Sequence, residues 1–254
     1  MGDRTVGCEP YSNPDNDPAD QGVARRVRPL KFIVGLLLLP LLFASARTLV
    51  DLAGMSRPEN LWKVSLEAWS LLGGFIFWTV LFLAMRKPMR TYVLGHELTH
   101  ALWGTLLGAR VRKVRISTQG GSVQLSKTNF LITLAPYFFP FYTCLVLALY
   151  GLLLVFFDLR HYQPFWMSLI GLTWGFHLTF TIMMLLKHQN DITDNGYLFS
   201  YVVIFLANIL ILCLGIVVVG KPTLEDMAAG MTGHLNSVFS QMLAPPLENI
   251  DPLH

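Results

Sequence analysis

Long apolar runs alternate along the chain with short polar or basic breaks. A helix needs roughly 20 mostly apolar residues to cross the hydrocarbon layer of a bilayer. Six stretches meet or approach that length: Leu30 to Val50, Ser65 to Met85, Thr91 to Ala109, Phe130 to Phe157, Phe165 to Leu186 and Tyr197 to Val219. The fourth is longer than needed and carries Pro136 and Pro140, which are expected to kink it and to free backbone groups. Between the third and fourth, Val111 to Lys127 reads VRKVRISTQGGSVQLSK. Its partial alternation of apolar and polar residues about Gly120-Gly121 predicts a β-hairpin, with a plain basic loop as the competing reading.

The pattern predicts an all-α membrane protein of about six transmembrane helices, with a short β-hairpin after the third. Residues 1–28 are polar and hold Pro10, Pro14 and Pro18, so a disordered N-terminus is expected there. Residues 29–219 would form the membrane domain and 220–254 a polar tail. The apolar run from Leu30 starts late for a secretory signal and is read as a retained helix.

Composition agrees. Of 254 residues, 53% are hydrophobic and 14% charged, against roughly 25% charged in a soluble domain. The net charge of +3 is small, and the basic residues sit beside apolar runs, where lipid headgroups are the expected neighbours. No basic stripe is interleaved with exposed aromatics, which argues against nucleic-acid binding. Cys8, Cys144 and Cys213 form neither a paired framework nor a Cys-x-x-Cys motif, so disulfides and cysteine-held zinc are not expected. Charge asymmetry leaves orientation open. Arg25, Arg26, Arg28 and Lys31 favour a cytoplasmic N-terminus, and Arg86, Lys87 and Arg90 agree. Arg110, Arg112, Lys113 and Arg115 conflict, unless one span is re-entrant or the N-terminus lies outside.

The third stretch carries chemistry. His96-Glu97-Leu98-Thr99-His100 places two imidazoles four residues apart, on one face of a helix. Two such rings can hold one zinc ion, and the intervening Glu97 can act as general base on water activated there. Ionisable groups inside a span cost about 3 kcal/mol each on insertion scales, so three within five residues call for a compensating cation. A catalytic zinc commonly has three protein ligands. His177, in the middle of the fifth stretch, could contribute, although a hydrogen-bonded core histidine is the simpler account. Asp191 and Asp194 lie in HQNDITDNG, before the sixth stretch. Asp194-Asn195-Gly196 has turn chemistry and Asp194 could cap the next helix, which favours Asp191 as the metal ligand. Gly171 and Gly175 form a small-x-x-x-small pair suited to close helix packing.

GHELTHALWGTLLGARV, followed by the glycine-containing hairpin and the distal acidic segment, resembles the site-2 protease family of intramembrane zinc metalloproteases, over roughly residues 90–205. The resemblance implies His96 and His100 as zinc ligands, Glu97 as base and an aspartate of 191–194 as third ligand. The family's usual Leu-Asp-Gly motif and Asn-Pro loop are replaced here. A literal overlay selects Asp194, whereas the spacing Gln-x-Asp-Ile-x-x-x-Gly looks like a divergent branch in which Asp191 binds. Gln189 or Asn190 would then stabilise the oxyanion. No insertion is long enough for a PDZ-like domain.

The expected function is hydrolysis of peptide bonds in or near transmembrane segments of a membrane-protein substrate, within the bilayer and in a bacterial inner membrane. Two alternatives stand beside it. One is a membrane zinc-binding protein without protease activity. The other is a membrane zinc protease with a glutamate as third ligand, for which Glu225 is the available residue.

Overall fold

The computed structural model describes residues 18–56, 65–117 and 120–243. Nine helices and one hairpin follow in chain order among them: α1 (Pro18–Met55), α2 (Leu66–Ala84), α3 (Met89–Leu106), β1 (Val111–Ile116), β2 (Gly121–Leu125), α4 (Phe130–Phe138), α5 (Phe141–Phe156), α6 (Gln163–Leu185), α7 (Asn190–Asn195), α8 (Tyr197–Val219) and α9 (Leu224–Leu243).

Among the described residues, four segments are long and apolar enough to cross a membrane: Arg28–Met55, Leu66–Ala84, Arg160–Leu185 and Tyr197–Val219. The α4–α5 pair makes a fifth if taken as one span bent by 75°. The break falls at Phe139-Pro140, and Pro136 is accommodated inside α4. The expectation of six also counted α3, whose His96, Glu97 and His100 leave it less apolar than the others.

Two further expectations change. Residues 18–28, expected to be disordered, already belong to α1; residues 1–17 lie outside the described residues. The polar tail contains a 20-residue helix, α9. Its start is a capping box: the Thr223 amide donates to Asp226 Oδ2 at 2.8 Å, and the Asp226 amide donates to Thr223 Oγ1 at 3.1 Å. α9 packs against α1, with Gly230 over Thr48.

α2 lies closely along α6. A Cβ on Gly171 would run into the Leu71 carbonyl, and one on Gly74 into the Ser168 carbonyl. Bare backbone on both helices lets them approach, as small residues do in membrane bundles. An aromatic cluster of Trp78, Phe82, Tyr92, Phe176 and Phe180 joins this pair to α3. α1 and α8 pack together, and α4 bridges α3 to α8.

The hairpin is antiparallel, with Val114 opposite Val123 and Ile116 opposite Gly121, and a bulge between Val111 and Lys113. Gly108, at φ +76°, takes the left-handed conformation that ends α3 and turns the chain into β1. The hairpin then folds back on α3, where Leu125 fills the space over Gly104 and Gly121 lies against Val93 and Glu97.

Candidate metal centre

α3 carries His96 and His100 one turn apart, with their rings 4.8 Å centroid to centroid and edge to face. The two Nε2 atoms are 3.1 Å apart. Asp191, in the first turn of α7, brings Oδ2 to 3.3 Å from His96 Nε2 and 3.6 Å from His100 Nε2. Among the described residues these three form the one group of His, Cys, Asp or Glu side chains arranged to hold a metal ion.

Each member is oriented from behind. His100 Nδ1 lies 2.8 Å from the Ile132 carbonyl oxygen. A carbonyl only accepts, so Nδ1 carries the proton and the Nε2 lone pair of the neutral ring faces the cluster. That carbonyl is available because Pro136, four residues on, has no N–H to offer it. His96 Nδ1 pairs with the Tyr92 hydroxyl at 3.0 Å. Tyr137, fully buried, donates its hydroxyl to Asp191 Oδ2 at 3.1 Å and sets its ring edge to face with His96.

α7 is held on three sides. Asn195 Nδ2 donates to the Asp191 carbonyl and to Thr133 Oγ1 of α4, while Lys31 of α1 donates to Asn195 Oδ1 at 2.6 Å. Ser200 Oγ donates to the Ile192 carbonyl from α8, and Ile192 is buried. Gly196, at φ +86°, makes the reversal into α8.

The donor set fits zinc. A tetrahedral ion with bonds of about 2.0–2.1 Å needs ligand atoms about 3.3 Å apart, and the three observed separations bracket that value. Two imidazoles and a carboxylate also match zinc's ligand preference.

No family model matches the chain, nor does any curated protein or solved structure. The reading of this centre accordingly rests on its own chemistry.

Glu97 is 3% exposed and lines a cavity of about 160 Å³ together with His96, His100 and Asp191. β2 roofs the cavity through Gly121, Ser122 and Val123, and Ile132 and Asn190 form other walls. A Cβ on Gly121 would lie 2.5 Å from Glu97 Cγ and 2.7 Å from Oε1. The glycine therefore leaves the carboxylate its room.

The remaining sequence candidates separate clearly. Asp194 lines the cavity but is not part of the metal-capable group. It sits within α7, and no side chain caps α8, so the capping role expected for it is not observed. Its carboxyl is pushed up by partial burial and by the Asp191 charge, against the pull of Arg28 and Lys31. His177 is outside the group. Its buried Nε2 has no hydrogen-bond partner among the described residues. Gln189 Nε2 turns to Met184 Sδ at 3.5 Å, and Gln189 is absent from the cavity wall. Of the two oxyanion candidates, Asn190 alone lines the cavity. Glu225 is exposed at the start of α9, apart from the histidine pair.

Sequence reasoning missed Tyr92, Tyr137, Gly121 and the Ile132 carbonyl. Tyr92 was findable, since it precedes His96 by four residues on the same helix face. Tyr137 and Ile132 reach the site only through the packing of α4 on α3, which no local pattern announces.

Proposed function

We propose that this chain is an intramembrane zinc metalloprotease, a divergent member of the site-2 type, acting on peptide bonds in or near the transmembrane segments of other membrane proteins in a bacterial inner membrane. The observation that carries the reading is the meeting of His96, His100 and Asp191 Oδ2 at tetrahedral spacing beside the buried carboxylate of Glu97.

His96, His100 and Asp191 would hold the zinc. When bound, the ion supplies Lewis acidity that makes water nucleophilic near neutral pH. Glu97 accepts the proton of the attacking water on a carboxylate oxygen and delivers it to the amide nitrogen that leaves, so that one water is consumed and an acid and an amine are formed. Asn190, which lines the cavity, would be the group that stabilises the developing oxyanion. The β2 roof and the walls from α4 and α7 limit the water around the scissile bond.

Purified wild type, Glu97→Gln and His96→Ala test this with two readouts, zinc content and cleavage of a transmembrane peptide library. Glu97→Gln should retain zinc and lose cleavage, and His96→Ala should lose both. Persistent cleavage in Glu97→Gln would rule out the general-base assignment. Stoichiometric zinc with no cleavage by wild type would favour a non-proteolytic metal protein.

A further inference from the structure

Between Glu67 and Asp158 the only acidic residue is Glu97, which is buried, while eight Lys and Arg occupy the same stretch. All eight are exposed, and among the described residues none forms an ion pair. They cluster at the α2–α3 junction and on the hairpin.

The hairpin is two-faced. Gly121 and Leu125 turn toward α3, so their register partners Ile116 and Val111 share that side. Lys113 and Arg115, one position out of phase with Val114 and Ile116, lie on the opposite face. Such a face is too costly to leave against hydrocarbon.

Beside it runs an apolar stripe. Leu94, Leu98, Leu102 and Leu106 follow one another at four-residue intervals along α3, and Leu94, Leu102 and Leu106 are exposed. Where this stripe meets the end of β1, a groove of about 450 Å³ is lined by Arg90, Thr91, Leu94, Ile116 and Ser117. The groove therefore offers the Arg90 guanidinium and the hydroxyl-bearing Thr91 and Ser117 beside two aliphatic side chains, Leu94 and Ile116.

We propose that this groove seats an anionic phospholipid, with its phosphate at Arg90 and its acyl chains along the leucine stripe of α3. The combination matches the interfacial pattern in which cations take headgroups and leucines take the acyl boundary. A purely soluble anion would leave the leucines uncovered, and a zwitterionic lipid would leave the surplus positive charge unneutralised. The hairpin and the cavity it roofs would thereby be held at headgroup depth. The proposal stands independently of the zinc reading.

The test uses the full-length chain in zwitterionic detergent micelles, titrated with phosphatidylglycerol or phosphatidylcholine and read by native mass spectrometry. Phosphatidylglycerol should bind the tighter, and raised salt should weaken it. Arg90→Gln should cost about fivefold in that affinity. Lys221→Gln, after α8, should match wild type. Equal affinity for the two lipids, or an unchanged Arg90→Gln variant, overturns the proposal. Displacement of the lipid by a poly-glutamate peptide more readily than by excess phosphatidylglycerol also overturns it, by marking the groove as a peptide site. If Arg90→Gln fails to fold, the wild-type headgroup comparison still decides.

Discussion

His100 Nδ1 lies 2.8 Å from the carbonyl oxygen of Ile132, a carbonyl that Pro136 leaves without a helical donor. A helix-breaking residue is thus put to use as the source of an acceptor at the metal centre. Pro136→Ala restores an N–H that competes for Ile132. We expect zinc affinity to fall by about 10-fold or more, in the range seen when outer partners of metal ligands are lost. Competition titration with a chelator measures it, and an unchanged affinity would show that the carbonyl does not orient His100.

Tyr137 bonds the proposed third ligand, Asp191. Tyr137→Phe removes the hydroxyl that donates to Asp191 Oδ2 and keeps the ring packed on His96. The expected result is an affinity loss of about 10–100-fold with helical content unchanged by circular dichroism. Equal zinc affinity in the two proteins would assign the hydroxyl a purely packing role.

Gly121 separates binding from chemistry. In Gly121→Ala the new methyl overlaps Glu97 Cγ and also approaches Val93, so the carboxylate must move. Zinc content should hold, while cleavage drops on the order of 100-fold, as for a misplaced catalytic group. Full activity in this variant would contradict the placement of Glu97 as base.

How much of this was legible beforehand follows from the range of each interaction. His96, Glu97 and His100 were readable because helical spacing is local. Asp191 could be nominated only as one of two carboxylates. Its selection depends on Lys31, Thr133 and Ser200 pinning α7 from α1, α4 and α8. The span count differs at α3, where His96, Glu97 and His100 stand among apolar residues. α9 was overlooked although Leu224, Met227, Met231, Leu235, Val238 and Met242 keep helical periodicity behind the Thr223–Asp226 box. Pro245 and Pro246 drew attention to the segment beyond it instead.

The α2–α6 contact gives a stability test away from the centre. Gly171→Leu places a side chain where the Leu71 carbonyl now lies. Separating the helices should destabilise the bundle by about 1–3 kcal/mol, seen as a lower thermal midpoint in micelles. An unshifted midpoint would mean that the two backbones need not touch.

The most direct measurement is zinc K-edge X-ray absorption on the purified wild type beside Asp191→Asn and Asp194→Asn. Wild type should hold one zinc with two imidazole nitrogens and a carboxylate oxygen at about 2.0–2.1 Å. That first shell should be lost or altered in Asp191→Asn and unchanged in Asp194→Asn. Sulfur in the shell, no stoichiometric zinc, or an identical shell in Asp191→Asn would contradict the account.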